Sequence, residues 1–400
     1  MLGLELEHFL VRADGLMSVP YKGGVEVLLA GLVPHGWEPV MQGQDLMGLK
    51  GRAGDITLEP GGQIEISLIP CSCITYLERE YRAFLDQARP VLRDHGWALC
   101  CTGYRPADGI DDIPLLPKER YRLMYRYFES YGGPYAHHMM KGTAAMQVSV
   151  DYSDENDFVR KMRVAHFLTP FIAAAFDNVA VFEGAPPPYT AMRSVIWSGC
   201  DPDRGRIPRE IFTQDFGYEA YARMILSRPL ILRARDGRIE YTERLNGAEV
   251  YKEGMDEEDI RHLLSMFFFD ARAKQYIEVR PGDMIPPPLS FGYAAIIKGL
   301  MYQPDNLAML GEMAERLDTR AHMQLLSDVQ RVGTQALWQG RPVREWMAEW
   351  VRAAIKGLNE GEQEYIQRLL PDIRGGRTPA MRTAEHLEEG KQAFGWCLIE

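Results

Sequence analysis

Apolar and polar residues alternate along several short stretches of the chain, and these predict the strands of a sheet with two chemically different faces. From Gly3 to Val11, Glu5 and Glu7 share one face and Leu4 and Leu6 the other. Ile56 to Ser67 reads as two strands joined by a tight turn at Pro60-Gly61-Gly62. Ile56, Leu58, Ile64, Ile66 and Leu68 share its apolar face; Thr57, Glu59, Gln63 and Glu65 share the opposite one. In Thr143 to Tyr152, Met146, Val148 and Val150 oppose Thr143, Ala145, Gln147, Ser149 and Asp151. In Gln275 to Arg280, Tyr276, Glu278 and Arg280 oppose Ile277 and Val279, and Pro281 and Pro286 to Pro288 then break the chain. Each polar face is either the floor of a site or solvated surface: a charged edge strand for Glu5 and Glu7, a half-exposed strand around Gln147, a structural ion pair for Glu278 and Arg280.

Further strands are predicted over Trp37–Met41, Leu46–Lys50, Ala98–Tyr104 and Leu230–Arg235, the last followed by a turn at Asp236-Gly237. Helical spacing predicts helices over Val25–Leu32, Tyr76–Asp94, Lys118–Tyr131 and Tyr218–Leu226. Ser153 and Asp154 cap a long apolar helix that reaches about Phe176, kinked or divided at Pro170. Asp108–Pro117, Gly184–Tyr189 and Asp201–Gly205 read as loops. From Tyr293 onward the pattern is helical, with breaks at Gln339-Gly340 and Arg374 to Gly376, and Trp338, Trp346 and Trp350 are packing residues. No composition shift or repeat divides the chain, so residues 1–400 read as one domain.

With 46% apolar and 25% charged residues, the 400-residue chain has ample material for a core. A net charge of −11 argues against a nucleic-acid partner. The first residues carry acids where a signal peptide carries bases, and no apolar run is long enough to cross a membrane. The six cysteines, including Cys71 and Cys73 and the adjacent Cys100 and Cys101, form no zinc pattern; they read as reduced, in a cytoplasmic protein. P-loop, G-x-G-x-x-G, G-x-S-x-G and H-E-x-x-H motifs are all missing. A nucleotide would therefore be held by an acid-rich sheet through metal ions. Arg193, opening an otherwise apolar segment, suits a carboxylate or phosphate, and Arg120 either reaches a substrate carboxylate or forms a surface ion pair.

Several motifs, taken in order, resemble those of glutamate–cysteine ligases of the plant and proteobacterial type. G-L-E-L-E-H-F at 3–9 is similar to G-T-E-x-E-x-F, and I-T-L-E-P-G-G-Q-I-E-I-S at 56–67 to S-L-E-P-G-G-Q-x-E-L-S. Asp112-Ile113-Pro114 with P-K-E-R-Y at 117–121, T-A-A-M-Q-V-S-V-D-Y at 143–152, M-R-S-V-I-W at 192–197 and D-P-D-R at 201–204 follow. Y-I-E-V-R at 276–280 is similar to the wider superfamily's Y-x-E-x-R. The resemblance implies an α+β, glutamine synthetase-like fold: a curved antiparallel sheet of about six strands backed by helices. It implies an ATP-dependent carboxylate–amine ligase making γ-glutamylcysteine through γ-glutamyl phosphate, a step of glutathione biosynthesis. By carry-over, Glu5, Glu7, Glu59, Glu65 and Glu278 are magnesium ligands, and Glu65, Glu278 and Arg280 contact ATP. Arg280, Arg193 and Glu59 are catalytic, while Arg193, Gln147, Arg120 and Thr143 bind substrate. The partners are small molecules, glutamate with cysteine or another amine, and the protein is a monomer or homodimer.

The chain departs from the plant pattern after Arg280. It reads P-G-D-M-I-P-P-P-L where the pattern has G-A-D and then a tryptophan, and no Trp occurs between Trp197 and Trp338. Asn178-Val179-Ala180 replaces N-S-P, Lys141-Gly142 differs from the family, and the family's N-terminal extension is absent. These departures predict an altered amine pocket whose specificity lies in 281–289, and no disulfide switch. A phosphotransferase and a catalytically silent homologue are the competing readings.

Overall fold

The computed structural model describes every residue except Arg206, Asp236 and Gly237, so the turn expected at Asp236-Gly237 lies outside the described residues. Its strands are β1 (Leu2–Arg12), β2 (Glu38–Gln42), β3 (Asp45–Gly51), β4 (Gly54–Leu58), β5 (Ile64–Cys71), β6 (Trp97–Cys100) and β7 (Ala145–Val150), then β8 (Leu232–Arg235), β9 (Arg238–Tyr241), β10 (Ala271–Ala273), β11 (Ile277–Asp283), β12 (Leu337–Trp338), β13 (Arg341–Pro342) and β14 (Leu398–Ile399). The helices are α1 (Glu26–Leu32), α2 (Ile74–His95), α3 (Glu119–Tyr131), α4 (Ala136–Gly142), α5 (Glu155–Ala175), α6 (Met192–Ser198), α7 (Tyr218–Leu226) and α8 (Gly247–Val250). They continue with α9 (Glu257–Ser265), α10 (Leu289–Met301), α11 (Pro304–Glu315), α12 (Thr319–Val332), α13 (Val343–Ala354), α14 (Glu360–Gly375) and α15 (Pro379–Ala384).

The main sheet has ten strands rather than about six, with path order β10-β11-β7-β1-β5-β4-β3-β2; β6 and β14 complete it. All its pairings are antiparallel. The first strand is not an edge. Its first half runs between β5 and β7, and its second half pairs with β6. Nor is β7 half-exposed: it is buried along its whole length, because both of its neighbours and both of its faces are covered.

The alternation works as predicted on one face. Leu4, Leu6, Ile56, Leu58, Ile64, Ile66, Met146, Val148, Ile277 and Val279 are all buried in the core. Helices α2, α5 and α10 lie against β5, β11 and β7 behind this face. Asp154 caps α5 by accepting from the Asp157 N–H at 2.9 Å, and the helix runs past Pro170 without dividing.

Two strand limits differ from expectation. The strand expected over Ala98–Tyr104 ends at Cys100. The strand expected to end before Pro281 continues to Asp283, because the β11–β7 register shifts between Val279 and Gly282. An irregularity of this kind releases one position from the ladder, which is where a proline without an N–H is tolerated. The end of the chain returns to the sheet as β14, and the Cys101 N–H donates to the Cys397 carbonyl at 2.8 Å. No helix is long and apolar enough to cross a membrane among the described residues.

Candidate active site

The second face of the sheet carries the polar residues in rows set by the pairing register. Glu7 stands opposite Glu65, which stands opposite Thr57. Glu5 lies between Ser67 and Gln147, and Ser149 opposes Glu278. Helices α3, α4 and α6 and the segment 265–274 close over these rows and leave a cavity of about 420 Å³. Glu5, Glu7, Glu59 and Glu65 face Lys118, Arg120, Arg272, Lys274 and Arg280 across it.

Glu59 and Gln63 flank the Pro60-Gly61-Gly62 turn. The Gly62 N–H donates to the Glu59 carbonyl at 2.8 Å, and the Glu59 N–H to that of Gln63 at 3.0 Å. Gly62 has φ +80°, which favours glycine, and a Cβ on Gly61 would lie 2.5 Å from the Lys141 carbonyl oxygen. The Gln63 amide is used up holding this corner: it accepts from Gly61 N–H (2.9 Å) and donates to the carbonyls of Thr143 (2.9 Å) and Met140 (3.3 Å).

The charges are strongly coupled. Burial, and then the nearby Glu65 and Glu278, push Glu5 up to about 8. Burial and then Glu59 push Glu7 up to about 7, and burial with Glu59 and Glu7 pushes Glu65 up to about 8. Burial would raise Glu278 as well, but Arg272, Arg280 and Lys274 together hold it down at about 2. An uncompensated set of hard oxygen donors such as Glu5, Glu7, Glu59 and Glu65 is the chemistry that divalent cations satisfy. Their oxygens do not form a ready-made cage. Among the described residues, three ligand atoms within 4.8 Å of one another occur only at the exposed His386, Glu388 and Glu389. Spread carboxylates suit magnesium, which keeps waters and substrate phosphates in its shell rather than an all-protein one.

Glutamate-cysteine ligase family 2 (GCS2) has a family model that matches residues 1–393. The chain belongs to this family. It is 29% identical over 401 residues to the chloroplastic glutamate–cysteine ligase of Nicotiana tabacum, covering 98% of this chain and 76% of that one. It is 28% identical over 395 residues to the chloroplastic enzyme of Arabidopsis thaliana, covering 96% and 76%. A crystal structure of glutamate–cysteine ligase from Francisella tularensis in complex with AMP superposes with a TM-score of 0.62 at 11% identity, over 99% of this chain and 87% of that one. That likeness is one of fold, and it places the sheet in the glutamine synthetase-like class.

Within this member of the family, Glu5, Glu7, Glu59, Glu65, Gln147, Arg120, Thr143 and Arg280 all reach the cavity wall. Gln147 links two of them. Its Nε2 donates to Glu7 Oε1 at 2.7 Å, and its Oε1 accepts from Arg280 Nη1. Glu7 Oε2 accepts from the Ala145 N–H at 2.7 Å. Arg120 forms no surface ion pair; it donates to Ser265 Oγ at 2.8 Å and stays on the wall. The Thr143 hydroxyl, expected on substrate, donates instead to the Met139 carbonyl at 3.0 Å.

Two expected residues are placed elsewhere. Glu278 is fully buried beneath the wall, with its carboxylate on Arg272 (2.6 Å), Lys274 and Arg280 (3.4 Å). The cause is the β10–β11 register, which puts Arg272 directly across from it. A metal ion at Glu278 would have to displace one of these cations. Arg193 lies outside the lining, which α6 reaches instead with Trp197, one helical turn further on. Its guanidinium is 5.0 Å from the Trp197 ring, its Nη1 donates to the Arg280 carbonyl at 3.2 Å, and Asp283 is 4.0 Å away.

Lys118, Tyr121, Met124, Met139, Met140, Trp197, Phe268, Arg272 and Lys274 also line the cavity, beyond the expected set. The P-K-E-R-Y and M-R-S-V-I-W motifs held a signal for Lys118, Tyr121 and Trp197. The methionines and Phe268 had none, since buried apolar residues look alike in sequence. No residue of 281–289 lines the cavity, so the altered segment after Arg280 is not its wall. A tryptophan is present after all, supplied by α6.

Proposed function

We propose that this family member is an ATP-dependent ligase joining the γ-carboxylate of glutamate to the amine of cysteine, through γ-glutamyl phosphate and with release of ADP and phosphate. The observation that carries the reading is one cavity in which four carboxylates, three on strands and one at the β4–β5 corner, face five cationic side chains. Polyanionic substrates need both signs: cations on phosphate and carboxylate oxygens, and acids to hold metal between phosphates and protein. Glu5, Glu7, Glu59 and Glu65 would hold magnesium, which supplies charge neutralisation when bound. Arg280, which is buried and bonded to Gln147 and Glu278, would meet charge that develops on the transferring phosphoryl group. Lys118 and Arg120 at the α3 start suit the carboxylates of glutamate.

The amine must lose a proton before or as it attacks. No histidine lines the cavity, so a carboxylate of the lining or the departing phosphate would take it. No covalent enzyme intermediate is required, since positioning and charge stabilisation carry both steps. This reading comes with a single catalytic unit, small-molecule partners, a cytoplasmic setting and a monomer or homodimer.

The test is ADP release with ATP, magnesium and glutamate, with and without cysteine, read beside product mass. ADP and γ-glutamylcysteine formed only with cysteine present support the ligase. ADP with a stable phosphorylated product, independent of amine, replaces it with a phosphotransferase. Folded, magnesium-loaded protein that releases no ADP overturns it in favour of a silent homologue.

A further inference from the structure

The lining of the cavity divides by chemistry. The acids come from the sheet and its β4–β5 corner and the cations from β11, the chain around β10 and the start of α3, while Met124, Met139, Met140, Trp197 and Phe268 come from α3, α4, α6 and the chain after α9. A triphosphate, magnesium and the charged ends of glutamate gain nothing from such a wall. Two apolar groups remain in the proposed reaction, the nucleobase and the side chain of the amine acceptor.

Three contacts tie the wall to the reacting centre. The Thr143 hydroxyl holds the Met139 carbonyl, and the Gln63 amide holds that of Met140. Thr143 leads into β7, which carries Gln147, and Gln63 immediately precedes β5, which carries Glu65. Trp197 lies against Arg280, with 5.2 Å between guanidinium and ring, and its indole N–H is buried without a partner among the described residues. Arg280 in turn bonds Gln147, which bonds Glu7. A wall fastened here stands beside the carboxyl being activated, whereas a nucleobase sits a triphosphate's length away.

Its composition sets the class of occupant. Thioether side chains are unbranched and polarisable and re-pack around ligands of different length, which favours breadth over a single small side chain. We propose that Met124, Met139 and Met140 form the side-chain pocket of the amine acceptor, and that it takes apolar side chains longer than that of cysteine, of the methionine and leucine class, as well as cysteine. The proposal rests on the ligase reading. In the reaction, the acceptor's amine forms the amide bond to the γ-carbonyl of glutamate, the carbonyl–phosphate bond breaks, phosphate leaves, and the amine gives up a proton.

The experiment measures ADP release and product mass for the wild-type protein with ATP, magnesium and glutamate and, one at a time, cysteine, methionine, leucine, aspartate and lysine. We expect kcat/KM for methionine and leucine within about 10-fold of that for cysteine, and at least about 100-fold lower values for aspartate and lysine, whose charges the wall cannot pair. In Met139→Ala and Met140→Ala, kcat/KM for methionine falls about 10-fold relative to cysteine while the KM for ATP holds, a ratio that general loss of fold does not change. Product with cysteine alone overturns the proposal and leaves the ligase reading standing. Variants that raise only the KM for ATP overturn it in favour of the nucleobase. No ADP with any acceptor overturns the ligase reading itself.

Discussion

A methyl group on Gly61 would meet the Lys141 carbonyl oxygen at 2.5 Å and the Lys141 Cα at 2.8 Å, and both are backbone atoms that cannot swing aside. Gly61→Ala should therefore lower stability by about 1–3 kcal/mol, read as the urea midpoint, and displace Glu59 enough to reduce ADP release. Arg280 is equally constrained, bonded to Gln147 and Glu278 and lying on Trp197. Both bonds come from Nη1, and a lysine keeps the charge but has no planar group to lie on the Trp197 ring while its nitrogen reaches the same point. Arg280→Lys should lower kcat by at least about 100-fold, the scale of one lost charge-stabilising donor, with the far-ultraviolet circular dichroism unchanged. The residue types of the site were legible because clustered acids on alternating positions have few uses. The fate of Gln63 and Thr143 was not. An amide or hydroxyl is spent on whichever backbone carbonyl the fold brings near, here those of Met139, Met140 and Thr143 itself.

At the scale of elements, α5 and α12 carry two buried histidines that the reaction does not use. Neither ring nitrogen of His166 has a hydrogen-bond partner among the described residues, and burial with the nearby His322 lowers it to about 3. His322, beside the Phe167 carbonyl at 3.0 Å, is lowered by burial to about 4. Both are neutral in the fold and take up protons more readily once unfolded, where a free imidazole titrates near 6.5. The contribution of these two histidines is thus full above about pH 6.5 and is lost as pH falls toward 4, by about 3 kcal/mol each at pH 4, while the raised Glu5, Glu7 and Glu65 contribute the opposite slope over the same range. Urea midpoints measured from pH 7 to 4 should therefore fall for the wild type relative to His322→Gln, a difference in which the carboxylates cancel. The elements themselves were mostly legible from their period. The exceptions are pairings rather than propensities: β11 running through Pro281, β10 and β14, short strands that exist only because a neighbour is there to pair with.

At the scale of the molecule, acids from β1, the β4–β5 corner and β5 share one cavity with cations from α3, β11 and the chain around β10. Ligands that satisfy both charge sets bind the folded state alone and stabilise it by mass action. Magnesium with ATP at about 100 times its dissociation constant should add about 2.7 kcal/mol, visible as a rise in Tm of a few degrees. Chelation should remove that rise and abolish ADP release, with both restored by added magnesium. ATP that shifts Tm equally with and without magnesium would count against the four carboxylates as metal holders.

By itself the sequence determined which faces are polar, which acids point together, and the family, because strand alternation and a motif such as E-P-G-G-Q are local and leave their mark within a few residues. Tertiary structure alone decided how those groups are used. Strand register set Arg272 against Glu278, helical phase put Trp197 rather than Arg193 on the cavity, and packing of α4 over the Gly61 corner turned two ordinary methionines into a cavity wall. Each of these depends on neighbours distant in the chain, and no local pattern encodes which neighbour arrives.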